Sequence, residues 1–94
     1  MHFLYILYSQ KLNRYYTGET PDPDIRLNLH NKHHFKNAFT NAADDWSIKL
    51  KFQTDSKENA VFLEIFIKRM KSKKFIEKVI NDPSILNQVL EKRA

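Results

Sequence analysis

The chain has 94 residues, enough for one domain with a single hydrophobic core and too few for two. Hydrophobic residues make up 41%, which excludes an intrinsically disordered chain, and the absence of cysteine excludes disulfides and thiolate metal sites. The formal net charge of +5 is compatible with nucleic acid as a partner and with a solvated basic surface that keeps the protein soluble.

The N-terminal segment is apolar but does not resemble a signal peptide. No basic region precedes its apolar residues and no small-residue cleavage site follows them. No stretch of the chain approaches transmembrane length. We therefore expect a cytoplasmic protein without a membrane partner.

A hairpin is predicted for the first 18 residues. The uninterrupted apolar run at 3–8 is typical of a strand buried on both faces, and residues 15–17 resume strand character after a polar turn. Gly18 is the only glycine in the chain. We expect it where the second strand leaves the sheet, or where another group must approach the backbone closely.

The first helix is expected from about Pro23 to Asn31. Asp22 is a good N-cap residue, and proline suits the first helical position. Ile25 and Leu29, one turn apart, are predicted to face the core.

The second half of the chain predicts one strand and three helices. Residues 33–45 lack periodicity and are expected to form a loop with a helical turn or two, whereas 46–52 alternate strictly and predict a strand with one face in water. Helices are expected at about 57–71, 72–80 and 84–92. The order ββα-β-αα, with a further C-terminal helix, predicts a small α+β domain in which helices flank a three-stranded antiparallel sheet.

Glu64 is the one charged side chain between Ala60 and Ile67, at the rim of the apolar stripe of its helix. A carboxylate in that position is costly unless it is hydrogen-bonded, paired or bound to metal. Two interpretations stay open: a metal ligand, or an i, i+4 ion pair with Lys68.

Four further side chains could handle a phosphodiester. Arg26 offers a planar fork for phosphate oxygens, and His30, one turn further on, can exchange a proton near neutral pH. An ordinary helix surface is the alternative for this pair. Tyr5 is either a site residue or a core residue with a satisfied hydroxyl, and Tyr16, beside Gly18, is better placed for function.

A basic run follows Glu64 and is the candidate nucleic-acid surface. Its members are Lys68, Arg69, Lys71, Lys73 and Lys74. Gly18 is grouped with them, because the gap in side-chain bulk beside Tyr16 suggests a small site. The alternative is a solvated helix face that only keeps the protein soluble.

The order and spacing of these residues resemble the GIY-YIG nuclease family. Its first motif corresponds to Phe3-Leu4-Tyr5 and its second to Tyr16-Thr17-Gly18, after ten intervening residues. Arg26 and His30 match the family's helix, and Glu64 falls on its metal-ligating glutamate.

The resemblance implies a DNA endonuclease that uses a single divalent cation, Mg²⁺ or Mn²⁺, held by Glu64. By the same resemblance, Tyr5 would help to deprotonate the attacking water, aided by His30 or by the metal, and Tyr16 would orient the water or the phosphate. The sequence leaves open which of the two tyrosines acts as the base. Arg26 would bind the phosphate and stabilise the transition state. The implied partner is DNA, branched or damaged, in DNA repair or recombination, together with an accessory protein or a second copy of the chain.

Two positions depart from the family pattern. The leading glycine of the first motif is missing, and Ile76 stands where several members have an asparagine. The missing glycine is a mild change at a structural position, whereas Ile76 supports an alternative, a catalytically weak or inactive nucleic-acid-binding module or a protein-interaction domain. The resemblance spans residues 3 to about 80 and is closest to compact bacterial members, so 1–94 is expected to form one domain.

Overall fold

A three-stranded antiparallel sheet organises the computed structural model, which describes residues 1–35 and 38–93. The elements are, in chain order, β1 (His2–Ser9), β2 (Arg14–Thr20), α1 (Pro23–Asn31), a 3₁₀ helix (Phe39–Ala42), β3 (Trp46–Thr54), α2 (Lys57–Met70), α3 (Lys73–Asn81) and α4 (Ser84–Arg93). This arrangement confirms the predicted α+β fold. Part of the loop predicted at 33–45 lies outside the described residues.

β1 is the central strand, with β2 on one side and β3 on the other. The helices α2, α3 and α4 cover one face of the sheet, where the core consists of Leu4, Ile6, Leu63, Ile67, Val79 and Leu86. Beneath α1, on the opposite face, a second cluster consists of Tyr5, Leu7, Ala43 and Trp46. Because both faces of β1 are covered, its sequence shows no polar alternation.

Side-chain caps fix the starts of three helices where the sequence predicts them. Asp22 accepts a hydrogen bond from the backbone N–H of Ile25 at the start of α1. Ser56 and Ser72 cap α2 and α3 in the same way. Each bond satisfies a backbone donor that the helix itself leaves unpaired.

The inward face of α1 differs from the predicted one. Ile25 is 59% exposed, whereas Pro23 and His30 are buried and Leu27 packs on the second cluster. These three inward residues follow the spacing i, i+4, i+7, which defines one face of a helix. The prediction that Ile25 faces the core was therefore wrong, because His30 rather than Leu29 sets the register of the buried face.

None of the helices in the described ranges has the length and apolar character needed to cross a membrane.

Candidate active site

Gly18 lies directly opposite Tyr5 in the ladder between β1 and β2, and β2 continues past it to Thr20. A Cβ atom at Gly18 would lie 2.6 Å from the Tyr5 hydroxyl oxygen, closer than a Cβ can approach. The strand therefore does not leave the sheet at Gly18, and glycine is needed because the Tyr5 ring crosses over it. Gly18 is buried, and its position supports a packing role rather than the predicted contact with nucleic acid.

A buried hydrogen-bond chain runs from Tyr5 through His30 to Thr40. The Tyr5 hydroxyl lies 3.0 Å from His30 Nε2, and His30 Nδ1 lies 2.6 Å from the Thr40 hydroxyl. The Thr40 carbonyl in turn accepts a hydrogen bond from the Trp46 indole at 2.8 Å. Both ring nitrogens of His30 are thus paired, and the imidazole is held in one orientation.

His30 is neutral at physiological pH. Burial lowers the pKa of His30 to about 4, and the nearby Arg26 guanidinium acts in the same direction. A neutral imidazole has one donor and one acceptor nitrogen. Where Nδ1 donates to Thr40, Nε2 is therefore free to accept the Tyr5 hydroxyl proton.

Burial also raises the pKa of Tyr5 above its ordinary value, and Tyr16, Glu64 and Glu19 act in the same direction. The Arg26 guanidinium opposes this effect. Tyr5, which is 1% exposed, is consequently a protonated phenol at neutral pH. Arg26 and Glu64, on two different helices, thus act in opposite directions on the pKa of the same hydroxyl.

Lys68 joins Glu64 to Tyr16 at the β2 edge of the sheet. Its Nζ atom lies 2.8 Å from Glu64 Oε2 and 5.4 Å from the centroid of the Tyr16 ring. The carboxylate oxygen is therefore at most about 8.2 Å, the sum of those two distances, from that centroid. The Glu64–Lys68 ion pair, one of the two interpretations left open by the sequence, is therefore present, and it lies beside Tyr16.

Arg26 reaches the same region from α1. Its guanidinium carbon lies 5.2 Å from the centroid of the Phe35 ring, and that ring lies 4.9 Å from His30. Within residues 1–35 and 38–93, Arg26 forms no ion pair. Its donors are thus available to an anionic ligand.

An open groove of about 510 Å³ begins at Tyr16 and is called the basic groove below. Its lining consists of Asn13, Arg14, Tyr15, Tyr16, Thr17, Phe39, Ile67, Lys68, Lys71, Ser72, Lys73 and Ile76. Arg69 and Lys74 are exposed but do not line it. The structure therefore divides the predicted basic run into three groove residues and two that face elsewhere.

Ile76 lines the basic groove and also packs on the core beneath α2, α3 and α4. An asparagine in this place would bring a polar amide to the wall of the groove. The isoleucine instead contributes apolar surface to the wall and to the core.

The residues present fit a weakly held divalent cation rather than a closed metal cage. In the described ranges, no group of three or more histidine, aspartate or glutamate side chains could hold a metal ion. The Glu64 side chain is 20% exposed and offers hard oxygen ligands. One carboxylate suits a cation of the Mg²⁺ type, which keeps several waters and takes substrate phosphate as a further ligand.

Sequence reasoning missed Thr40, Phe39, Asn13 and Arg14. Thr40 is fully buried against His30 ten residues away, a contact for which the loop sequence gives no periodic signal. Asn13 adopts a left-handed conformation with φ of 51° and accepts a hydrogen bond from Lys73 at 2.9 Å. Asparagine is enriched in that conformation, so the turn before Arg14 carried a usable signal.

Comparison with known protein families gave a match over most of the chain. The family model described as the GIY-YIG catalytic domain matches residues 1–78. This range includes Tyr5, Tyr16, Arg26, His30, Glu64 and Ile76. No curated protein and no solved structure showed significant similarity to the chain. With four fifths of its length matched, the chain belongs to the GIY-YIG catalytic domain family of nucleases, which act on DNA and generally use a divalent metal.

Proposed function

We propose that this protein is a metal-dependent endonuclease that hydrolyses DNA phosphodiester bonds. The proposal is supported above all by the meeting of Tyr16, Glu64 and Lys68 at the β2 edge, next to the Tyr5–His30 pair. A domain that only binds DNA has no need of a carboxylate beside its phosphate site, because the two anions repel each other.

Glu64 would hold one divalent cation, Mg²⁺ or Mn²⁺, in place of the Lys68 ammonium. An i, i+4 ion pair at a partly exposed position contributes only about 0.3–0.5 kcal/mol, so a cation can displace it. When bound, the metal polarises the phosphate and neutralises its charge. Arg26, which is half-buried and free of carboxylate partners in the described part of the chain, would bind a phosphate oxygen and stabilise the transition state.

Tyr16 is the phenol that we assign to the attacking water. It is half-buried and lines the basic groove, whereas Tyr5 is enclosed by Gly18 and His30. The Tyr16 ring lies 6.3 Å from the Tyr5 ring and 5.0 Å from that of His30. Tyr5 and His30 would therefore support Tyr16 through ring packing, and the hydrogen bonds from Tyr5 to His30 and from His30 to Thr40 would hold this support in place.

A second function, DNA binding without cleavage, is favoured by Ile76. This residue places a hydrocarbon side chain on the groove wall at the position of the family's asparagine. In this alternative the Lys68–Glu64 ion pair persists in the complex with DNA. The two functions differ in whether any DNA is cut when metal is present.

The direct test is cleavage of duplex, single-stranded and branched DNA with Mg²⁺, with Mn²⁺ and with EDTA. We expect metal-dependent cleavage by the wild type and a loss of roughly 100-fold or more in Glu64→Ala. Binding of DNA in EDTA should be unchanged or tighter in this variant, because a negative charge beside the phosphate has been removed.

Glu58→Ala is the matched control, since Glu58 is an exposed carboxylate in the first turn of the same helix. It should cleave like the wild type. Equal cleavage by Glu64→Ala and wild type would contradict the metal-binding role. Binding by the wild type without cleavage of any substrate would favour the second function.

A further inference from the structure

The basic groove carries positive charge on more than one side. Arg14 extends from the start of β2, whereas Lys68, Lys71 and Lys73 come from the junction of α2 and α3. Among the described residues, no aspartate or glutamate lines the groove. Such a surface attracts a polyanion, and the strength of that attraction falls as salt is raised.

Phe39 supplies an aromatic surface in the same groove. The side chain is 46% exposed, although the adjacent Thr40 is fully buried and bonded to His30. The centroid of the Phe39 ring lies 6.0 Å from that of the Trp46 ring. The Arg14 guanidinium carbon lies 6.0 Å from the same Phe39 centroid. An exposed phenylalanine is thus held on an anchored backbone beside the exposed Arg14 side chain.

We propose that the basic groove binds an unpaired stretch of DNA, with one base stacked on Phe39 and the adjoining phosphates on Lys68, Lys71 and Lys73. This inference rests on the proposed action on DNA and names the form of DNA that the site accepts. A basic groove with an aromatic platform is the combination that single-strand-binding proteins use.

Duplex DNA cannot use the same platform. Its bases are stacked on one another, so only the phosphates would reach the groove, whereas an unpaired base offers a free face to the Phe39 ring. Arg14 can then lie against the other face of the base or move to a phosphate, because guanidinium groups stack on bases as well as on aromatic side chains. Phe39 should therefore distinguish single-stranded from duplex DNA, whereas the lysines should not.

The groove leads directly to the reacting groups. Tyr16 lines the groove, lies 5.0 Å from His30 and is covered by Lys68, which is paired with Glu64. The backbone of a strand held on Phe39 would therefore run towards Tyr16 and towards Lys68, the partner of Glu64. DNA in which single strand adjoins duplex, as at a branch or a flap, fits this arrangement.

The test measures binding of a fluorescent oligothymidine and of a duplex of equal length, both in EDTA so that nothing is cut. Phe39→Leu keeps apolar bulk but removes the aromatic face, and we expect it to bind the single strand at least about fivefold more weakly. Duplex affinity should stay within about twofold, because phosphate contacts are retained. Phe39→Trp should bind the single strand as well as the wild type or better.

Ile65→Ala is the matched control, since Ile65 is 44% exposed on α2 and does not line the groove. It should change neither affinity. Unchanged single-strand binding by Phe39→Leu, or an equal loss for both forms of DNA, would overturn the proposal. Because cleavage is not measured, failure of this test is distinct from failure of the nuclease assignment.

Discussion

Thr40 is the residue on which the orientation of His30 depends. Its hydroxyl lies 2.6 Å from His30 Nδ1 in a fully buried position, and no other partner is found for that nitrogen among the described residues. Thr40 does not reach the basic groove. We therefore regard Thr40 as a positioning residue, which acts on Tyr5 and Tyr16 through the imidazole of His30.

Thr40→Val keeps the shape of the side chain but removes this hydrogen bond. We expect the ¹⁵N chemical shifts of the His30 ring to move, because the tautomer is no longer fixed by Thr40, and cleavage to slow. The unpaired nitrogen should also lower the free energy of unfolding by about 1–3 kcal/mol. Thr40→Ser should restore the wild-type ring shifts, and unaltered shifts in Thr40→Val would rule out the positioning role.

Gly18→Ala tests the close approach of Tyr5 to the backbone of β2. The added methyl group would lie 2.6 Å from the Tyr5 hydroxyl oxygen, and the fully buried ring has little room to move. We expect the free energy of unfolding in urea to fall by about 1–3 kcal/mol, as in other overpacked cores. Ser47→Thr adds a methyl group at an exposed position of β3 and should change stability by less than about 0.5 kcal/mol.

At the scale of elements, the junction of α2 and α3 shapes the groove. Lys71 ends α2 in a left-handed conformation with φ of 48°, and Ser72 immediately caps α3. This tight turn brings Lys71 and Lys73 to one side, and Lys73 contacts the backbone and side chain of Asn13 in the β1–β2 turn. Arg69 and Lys74 are also exposed, but they do not line the groove.

Because only part of the basic run lines the groove, its members should contribute unequally to DNA affinity. Replacing Lys71 and Lys73 by glutamine should weaken DNA binding and reduce the slope of affinity against salt concentration by about one to two counterions. Replacing Arg69 and Lys74 removes the same charge outside the groove and should have a clearly smaller effect. Equal losses in both double variants, measured in EDTA across a salt series, would show that the run acts only through its total charge.

At the scale of the whole molecule, the buried His30 links folding to pH. Its pKa is about 4 in the folded protein and near 6.5 when unperturbed, so the unfolded chain binds the additional proton between these values. The stability due to neutral His30 is complete above about pH 6.5 and is lost as the pH falls towards 4. The loss amounts to roughly 3 kcal/mol at most.

The pH dependence can be assigned to His30 by comparing variants. We expect urea unfolding of the wild type to show a larger drop in stability between pH 7 and pH 4.5 than that of His30→Gln, which lacks the titrating group. His34→Gln removes an exposed histidine and should keep the wild-type pH dependence. A His30→Gln curve parallel to that of the wild type would contradict the buried neutral state.

The three strands and four α-helices can be predicted from the chain alone, because each is encoded by near neighbours. The apolar run of β1, the alternation of β3 and the caps at Asp22, Ser56 and Ser72 depend only on near neighbours in the chain. The candidate residues of the site could be named from their order and spacing, through the resemblance to a family. The buried face of α1 could not be predicted from the sequence, because its register depends on His30. The burial of His30 requires partners far away in the chain.

The arrangement of the site depends on tertiary packing. It brought Thr40 to His30 and Phe39 to the basic groove, although both lie in a segment without sequence periodicity. It also showed that Gly18 accommodates Tyr5 and that Lys68 pairs with Glu64 beside Tyr16. These contacts join residues on different elements, so they depend on how the sheet and helices pack, which local patterns in the chain do not encode.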